Sequence, residues 1–404
     1  MSAGFGERAV RSLKRRLGLS DKERINKLLA NPPPVEEDRM VFTSSEDYSG
    51  NPKALFLYMK EEGLLEKYRV TWLFERRENC FDFPEANVES VCMFNKEGKR
   101  TWQAQKAVMS ARYIFYSHNV NWVKRFRPEQ TFVDLWHGCG YKGALKSDAT
   151  RVYYDYLMVT GERYIGIFRD VMDDPDGNIL DLGYPRNDMF HTRRSSAAAF
   201  LASLKEKAGA QKIIIWMPTF RHSSVKRLDT DIALSSTGIP LLYGAQELRR
   251  LNGCCRQQGV LLIIKKHHLQ VIYDLPKEGM DHVLFLEGDD LRKGNADLYE
   301  MLASTDALLT DYSSTAIDYM LLDKPIGYTL DDFDRYEDAR GWSFANVKDY
   351  MPGHHIYSME DLLAFVRDVA EGADPYAADR ARILPEMHTC TEGFSRRIAE
   401  YFGI

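Results

Sequence analysis

Residues 308–328 read LLTDYSSTAIDYMLLDKPIGY, and this stretch decides the fold. The apolar run Ala307, Leu308, Leu309 halts at Thr310 and Asp311, two serines follow, and Ile317, Met320 and Leu321 then recur at helical spacing. That is strand, turn, helix. Residues 325–328 supply a second strand. With Ser313 or Ser314 as N-cap, the turn leaves backbone N–H groups and the positive end of the helix dipole facing outward, where a phosphate can sit. In an open α/β sheet that crevice, beyond the carboxyl ends of the strands, is where nucleotides bind. A D-x-S-S turn also occurs simply to cap a helix, so on this stretch alone the two readings stand level.

The same alternation extends outward in both directions. Apolar runs at 40–43, 70–74, 88–94, 113–116, 131–135 and 156–160 read as strands, with helices over 52–63 and 101–110. A helix over 195–210 leads to a second series: strands at 212–216, 260–265 and 283–286, with helices over 243–259 and 298–304. Strands alternating with helices through short links predict parallel sheets covered on both faces. The expected architecture is α/β, two doubly wound, Rossmann-like domains facing a cleft. Residues 1–34 form a short helical arm, 35–211 the first domain, 212–370 the second, and 371–404 C-terminal helices that can cross back.

The totals narrow the class. At 404 residues, with 44% apolar and 28% charged residues, the chain can bury two ordinary cores. A net charge of −5 argues against a general nucleic-acid binder. Residues 1–30 nevertheless hold eight Lys or Arg against three acidic residues, which leaves about −10 for the rest. Within that arm Phe5, Val10, Leu13 and Leu17 share one side of a helix, and Arg8, Arg11, Lys14, Arg15 and Arg16 occupy the remainder. Such a helix can rest on an anionic membrane surface or pack on the domain by a narrow stripe. Ser20 and Glu23 form a capping box for the next helix, which Asn31 and three prolines end. The six cysteines lack zinc-type spacing, and a reducing cytosolic compartment is expected. No apolar run reaches the roughly 18 residues that span a bilayer.

Several strand ends carry groups that can do chemistry. Trp136-His137-Gly138-Cys139-Gly140 follows one strand: His137 is placed as a general base or a structural histidine, Gly138 lets backbone approach a ligand, and Lys142 can answer a phosphate charge. Lys265-Lys266-His267-His268 ends another, and there an imidazole can donate a proton or hold a phosphate. Adjacent histidines point apart on an extended chain, so no metal site is expected. The turns carrying Arg186 and Asn187, and Thr219 and Arg221, add hydrogen-bonding groups. Neither a Walker loop nor G-x-G-x-x-G is present.

Taken in order, SSEDYSGNPKAL (44–55), LWHGCGYK (135–142), GYPRND (183–188), MPTFR (217–221), IIKKHH (263–268), the opening stretch and DRYEDARGWSF (334–344) resemble the CDP-glycerol glycerophosphotransferase family, the teichoic-acid primases and polymerases. The likeness spans nearly all of the chain after residue 40. It implies a GT-B-type enzyme, peripheral at the cytoplasmic face of the membrane. Such an enzyme moves glycerol phosphate from CDP-glycerol to a lipid-linked acceptor and releases CMP. The first domain would take the acceptor and the second the CDP-polyol. The resemblance assigns catalysis to His137 and His267. It places the family's D-Y-S-S serines on Ser313 and Ser314, and the residues around these motifs, Gly138, Lys142, Arg186, Asn187, Thr219, Arg221, Lys265, Asp311 and Thr315, are expected with them at the donor phosphates. No cofactor is implied, and dependence on a divalent cation stays open. The family's Thr-Pro after W-H-G is Cys139-Gly140 here, and the proline after its second histidine is His268. Both departures touch the cleft, so CDP-ribitol remains a candidate donor, and a nucleotide-sugar glycosyltransferase is the neighbouring alternative.

Overall fold

A computed structural model describes residues 19–118, 125–143, 153–192, 195–219, 237–265, 279–286 and 296–404. Among these residues two wholly parallel sheets are formed. The first contains β1 (Glu36–Thr43), β2 (Arg69–Phe74), β3 (Val88–Cys92), β4 (Ala111–Tyr116), β5 (Thr131–Asp134), β6 (Tyr156–Met158) and β7 (Ile179–Leu180). Its spatial order is β3-β2-β1-β4-β5-β6-β7. The second contains β8 (Lys212–Trp216), β9 (Val260–Lys265), β10 (Val283–Leu286), β11 (Ala307–Thr310), β12 (Ile326–Thr329) and β13 (His354–Ile356), in the order β10-β9-β8-β11-β12-β13. Each order reverses beside its first strand, which opens a crevice at the carboxyl ends of β1 and β4 in one sheet and of β8 and β11 in the other.

Burial follows the two-residue strand period. Met40 and Phe42 of β1 enter a core that also takes Ile213 and Ile215 of β8, while Val41 faces a separate cluster with Ile114 and Phe132. Ile214 and Trp216 point the other way, onto Leu362, Phe365 and Val366. Those three lie on the helix Met359–Glu371, whose Ser358–Asp361 capping box fixes its start. Ser20 and Glu23 close theirs likewise, Glu23 N–H donating to Ser20 Oγ at 3.4 Å.

Several elements differ from the sequence reading. β1 starts at Glu36 rather than 40, because its charged half pairs laterally: Arg69 of β2 donates to Asp38 at 2.8 and 2.9 Å. β7 and β13 are too short to show as apolar runs, and the helix Glu162–Met172 is absent from that reading although its buried Tyr164, Phe168, Val171 and Met172 recur at helical spacing. The final helix, Phe394–Phe402, returns to the first sheet, where Tyr113 donates its hydroxyl to Phe402 O at 3.1 Å. Asp188 of the GYPRND turn accepts the amides of Phe394 and Ser395 at that helix's start. Residues 1–18, which hold most of the expected basic arm, lie outside the described residues. No described helix is long and apolar enough to cross a membrane.

Candidate active site

The W-H-G turn at the end of β5 and the D-Y-S-S turn at the end of β11 meet. A Cβ on Gly138 would lie 2.3 Å from Ser314 Oγ, and one on Gly140 would lie 3.3 Å from Ser314 Cβ. Gly138 has φ +152, a conformation that L side chains rarely adopt. Glycine at both positions therefore brings the two turns into backbone contact.

His137, an exposed residue, stands at this junction. Its Nδ1 lies 3.2 Å from the Ser117 carbonyl oxygen, so Nδ1–H donates there and Nε2 keeps its lone pair. The ring packs on His118, with centroids 4.5 Å apart and planes at 21°, and on Trp136 at 4.3 Å. Protein crowding lowers its pKa from 6.5 toward about 4, and the Arg186 and Lys142 cations add to the shift. The imidazole is therefore neutral near pH 7.

Arg186 is 8% exposed, and its two terminal nitrogens donate to Asp318 Oδ2 at 2.6 Å and to the His137 carbonyl at 2.8 Å. Asn187, fully buried, donates to Asp318 Oδ1 at 3.2 Å, and Tyr299 hydroxyl donates to Asp318 Oδ2 at 2.6 Å. Both side chains, expected at the donor phosphates, tie the first sheet's last turn to the helix after β11. Asn51 completes this knot. Its Nδ2 donates to the carbonyls of Leu135 and Trp136, and its Oδ1 accepts the Arg186 amide. Asn51, Ser117, His118, Tyr299 and Asp318 were not singled out from sequence; only Asn51 and Asp318 lie in motif stretches.

Asp311 is likewise buried and turned inward. It accepts Thr219 N–H, Thr219 Oγ–H and Tyr312 N–H, which shapes the turn after β8. Lys142 Nζ reaches Thr219 Oγ1 at 3.4 Å. Lys265 ends β9 half-buried; burial lowers its pKa, and Glu46 from the loop after β1 opposes that. Of the two serines offered as a cap, Ser313 fills the role. The helix spans only Thr315–Tyr319, and Ser314 is itself helical and makes no side-chain cap. Ser313 Oγ accepts the buried Thr315's amide at 3.3 Å. The amides of Thr315, Ala316 and Ile317 are thus used locally, whereas those of Ser313 and Ser314 have no protein acceptor among the described residues. His267 and Arg221 lie outside the described residues.

A family model described as CDP-Glycerol:Poly(glycerophosphate) glycerophosphotransferase matches residues 26–401. The chain belongs to this family. It is 23% identical over 382 residues to the teichoic acid glycerol-phosphate transferase of Staphylococcus aureus, covering 88% of this chain and 90% of that one. It is 24% identical over 339 residues to the teichoic acid glycerol-phosphate primase of Bacillus subtilis (78% and 80% covered). A ribitol-phosphate primase of Bacillus spizizenii is 25% identical over 379 residues (88% and 87%). Among solved structures, the wall teichoic acid polymerase TagF in a variant soaked with CDPG superposes with a TM-score of 0.72 at 21% identity, covering 99% of this chain and 97% of that one. This glycerophosphotransferase-family chain therefore shares the TagF fold.

Proposed function

We propose that this enzyme transfers glycerol phosphate from CDP-glycerol to a hydroxyl of a lipid-linked, teichoic-acid-like acceptor, in a GT-B-type cleft. The acceptor hydroxyl attacks the donor's β-phosphorus, its proton passes to His137 Nε2, and the bond to the bridging oxygen breaks to release CMP. The observation that carries this reading is the His137 Nδ1–Ser117 O contact, which leaves Nε2 as the available base on the neutral ring of an exposed residue. Beside it the Ser313 and Ser314 amides and the Lys142 ammonium supply donors for phosphate oxygens, charge stabilisation of the kind that lowers such barriers. Lys265, at the end of β9, is proposed to add a further cation; the phosphate role of His267 and Arg221 rests on the family resemblance alone. Arg186, Asn187, Thr219, Asp311 and Thr315 hold its walls.

The glycerol- and ribitol-named relatives stand at similar identity, so CDP-ribitol is the second donor to offer. CMP release from each CDP-polyol with a short lipid-linked acceptor, for wild type and His137→Ala, is the test. A general base is worth about 10²- to 10⁴-fold, so the variant should lose that much turnover while still binding CDP-glycerol in calorimetry. Undiminished turnover removes His137 from the reaction. The basic arm, residues 1–34, is proposed to bring the enzyme to an anionic membrane at the cytoplasmic face, where the acceptor resides.

A further inference from the structure

We propose that Asp134 is a positioning residue for His137: its buried carboxyl group fixes the backbone of Trp136 and, through it, the aim of the imidazole. Asp134 is the last residue of β5 and has no exposed surface. Its Oδ1 accepts the Trp136 amide at 2.8 Å, and its Oδ2 has no hydrogen-bond partner among the described residues. A buried carboxyl making one hydrogen bond is an unfavourable arrangement that calls for a reason.

Trp136 supplies one. Its φ is +52, a left-handed conformation uncommon for any residue but glycine, asparagine or aspartate. Such outliers persist only where their surroundings over-determine them. Here the amide is held by Asp134, the carbonyl accepts Asn51 Nδ2 at 2.8 Å, and the indole Nε1 donates to Gly138 O at 3.1 Å. The reversal at Trp136 is what turns the chain off β5, so that His137 faces Ser117 and His118. Without the Asp134 acceptor the amide would be orphaned, and an extended conformation would swing the imidazole away.

Burial pushes the Asp134 carboxyl up to about 7, yet a proton on Oδ2 leaves Oδ1 an acceptor, so either form holds the amide. Asparagine presents the same carbonyl oxygen and should substitute; alanine cannot.

The inference rests on His137 being the base proposed above, and the test keeps the two apart. Asp134→Ala and Asp134→Asn are compared in CMP release from CDP-glycerol, with thermal melts for each. The Ala variant should lose at least tenfold in kcat with KM for CDP-glycerol within twofold, and the Asn variant should stay within threefold of wild type. A folded Ala variant with kcat within twofold of wild type, or an Asn variant that loses as much as Ala, overturns the assignment. Should Ala not fold, Asp134→Val fills the space without an acceptor and takes its place. An activity-independent readout is the rate at which diethylpyrocarbonate modifies His137, followed by peptide mass. It should change in Ala and not in Asn, even if wild type fails to use CDP-glycerol. An unchanged rate in Ala refutes the positioning role.

Discussion

Gly138→Ala is the most direct probe of the contact between the two turns. The added Cβ would sit 2.3 Å from Ser314 Oγ and 2.8 Å from Ser314 Cβ, whereas ordinary Cβ contacts begin near 3.4 Å. Rotating the hydroxyl relieves the first overlap but not the second, which requires about 0.6 Å of separation between the turns. The backbone at φ +152 adds a cost of about 1–3 kcal/mol for a residue with a side chain. A misplacement approaching 1 Å in a reacting pair costs on the order of 10²-fold. We therefore expect CMP release to fall by roughly one to two decades, with a modest loss of thermal stability. The control is a cycle with Ser314→Gly, which removes both clashing atoms. The double variant should recover at least tenfold over Gly138→Ala, whereas independent effects would multiply. Wild-type rates in Gly138→Ala, or no recovery in the double variant, would show that the turns do not touch as described.

Three further outcomes follow from the site. Asp318→Asn leaves the Arg186 charge buried without its counter-ion, and urea denaturation should show a loss of about 3–5 kcal/mol; a loss below 1 kcal/mol would mean the pair is solvated. Because the pKa of His137 is lowered and only its unprotonated form acts as base, kcat/KM should be level from about pH 6 upward and fall only below about pH 5; a limb near 6.5 would mean an unperturbed imidazole. Deleting residues 1–30 should abolish co-flotation with anionic liposomes, and equal flotation would refute the membrane role of the arm.

The strand framework was legible because its signal is repeated. Runs such as KIIIW and VLLIIK are buried on both sheet faces and so lack polar interruptions. The strand ends were legible too, since W-H-G-C-G and D-Y-S-S break those runs with glycine and hydroxyl residues. The division of labour among polar residues was not. An arginine in a proline-rich turn looks the same whether it meets a phosphate or a carboxylate 132 residues away, and Arg186 meets Asp318. Main-chain groups leave no trace of their role in the side chains, so the Ser117 carbonyl that sets the His137 tautomer could not be read. Ser313 and Ser314 were placed correctly at the turn, where Ser313 Oγ accepts the Thr315 amide at 3.3 Å and Ser314 makes no side-chain cap.

The knot of Arg186, Asn187, Tyr299 and Asp318 also constrains how the enzyme can breathe. Prying the halves apart there would strand two charges in a dry interior, whereas the Lys53–Asp297 bridge, with both side chains partly exposed, can dissolve into water cheaply. Gly143 N–H donating to Gly341 O at 2.9 Å and Ser343 N–H donating to Tyr141 O at 2.8 Å join the same two halves elsewhere. Because the His137 carbonyl accepts from the Arg186 guanidinium, the proposed base is tethered directly to the contact that is most costly to open.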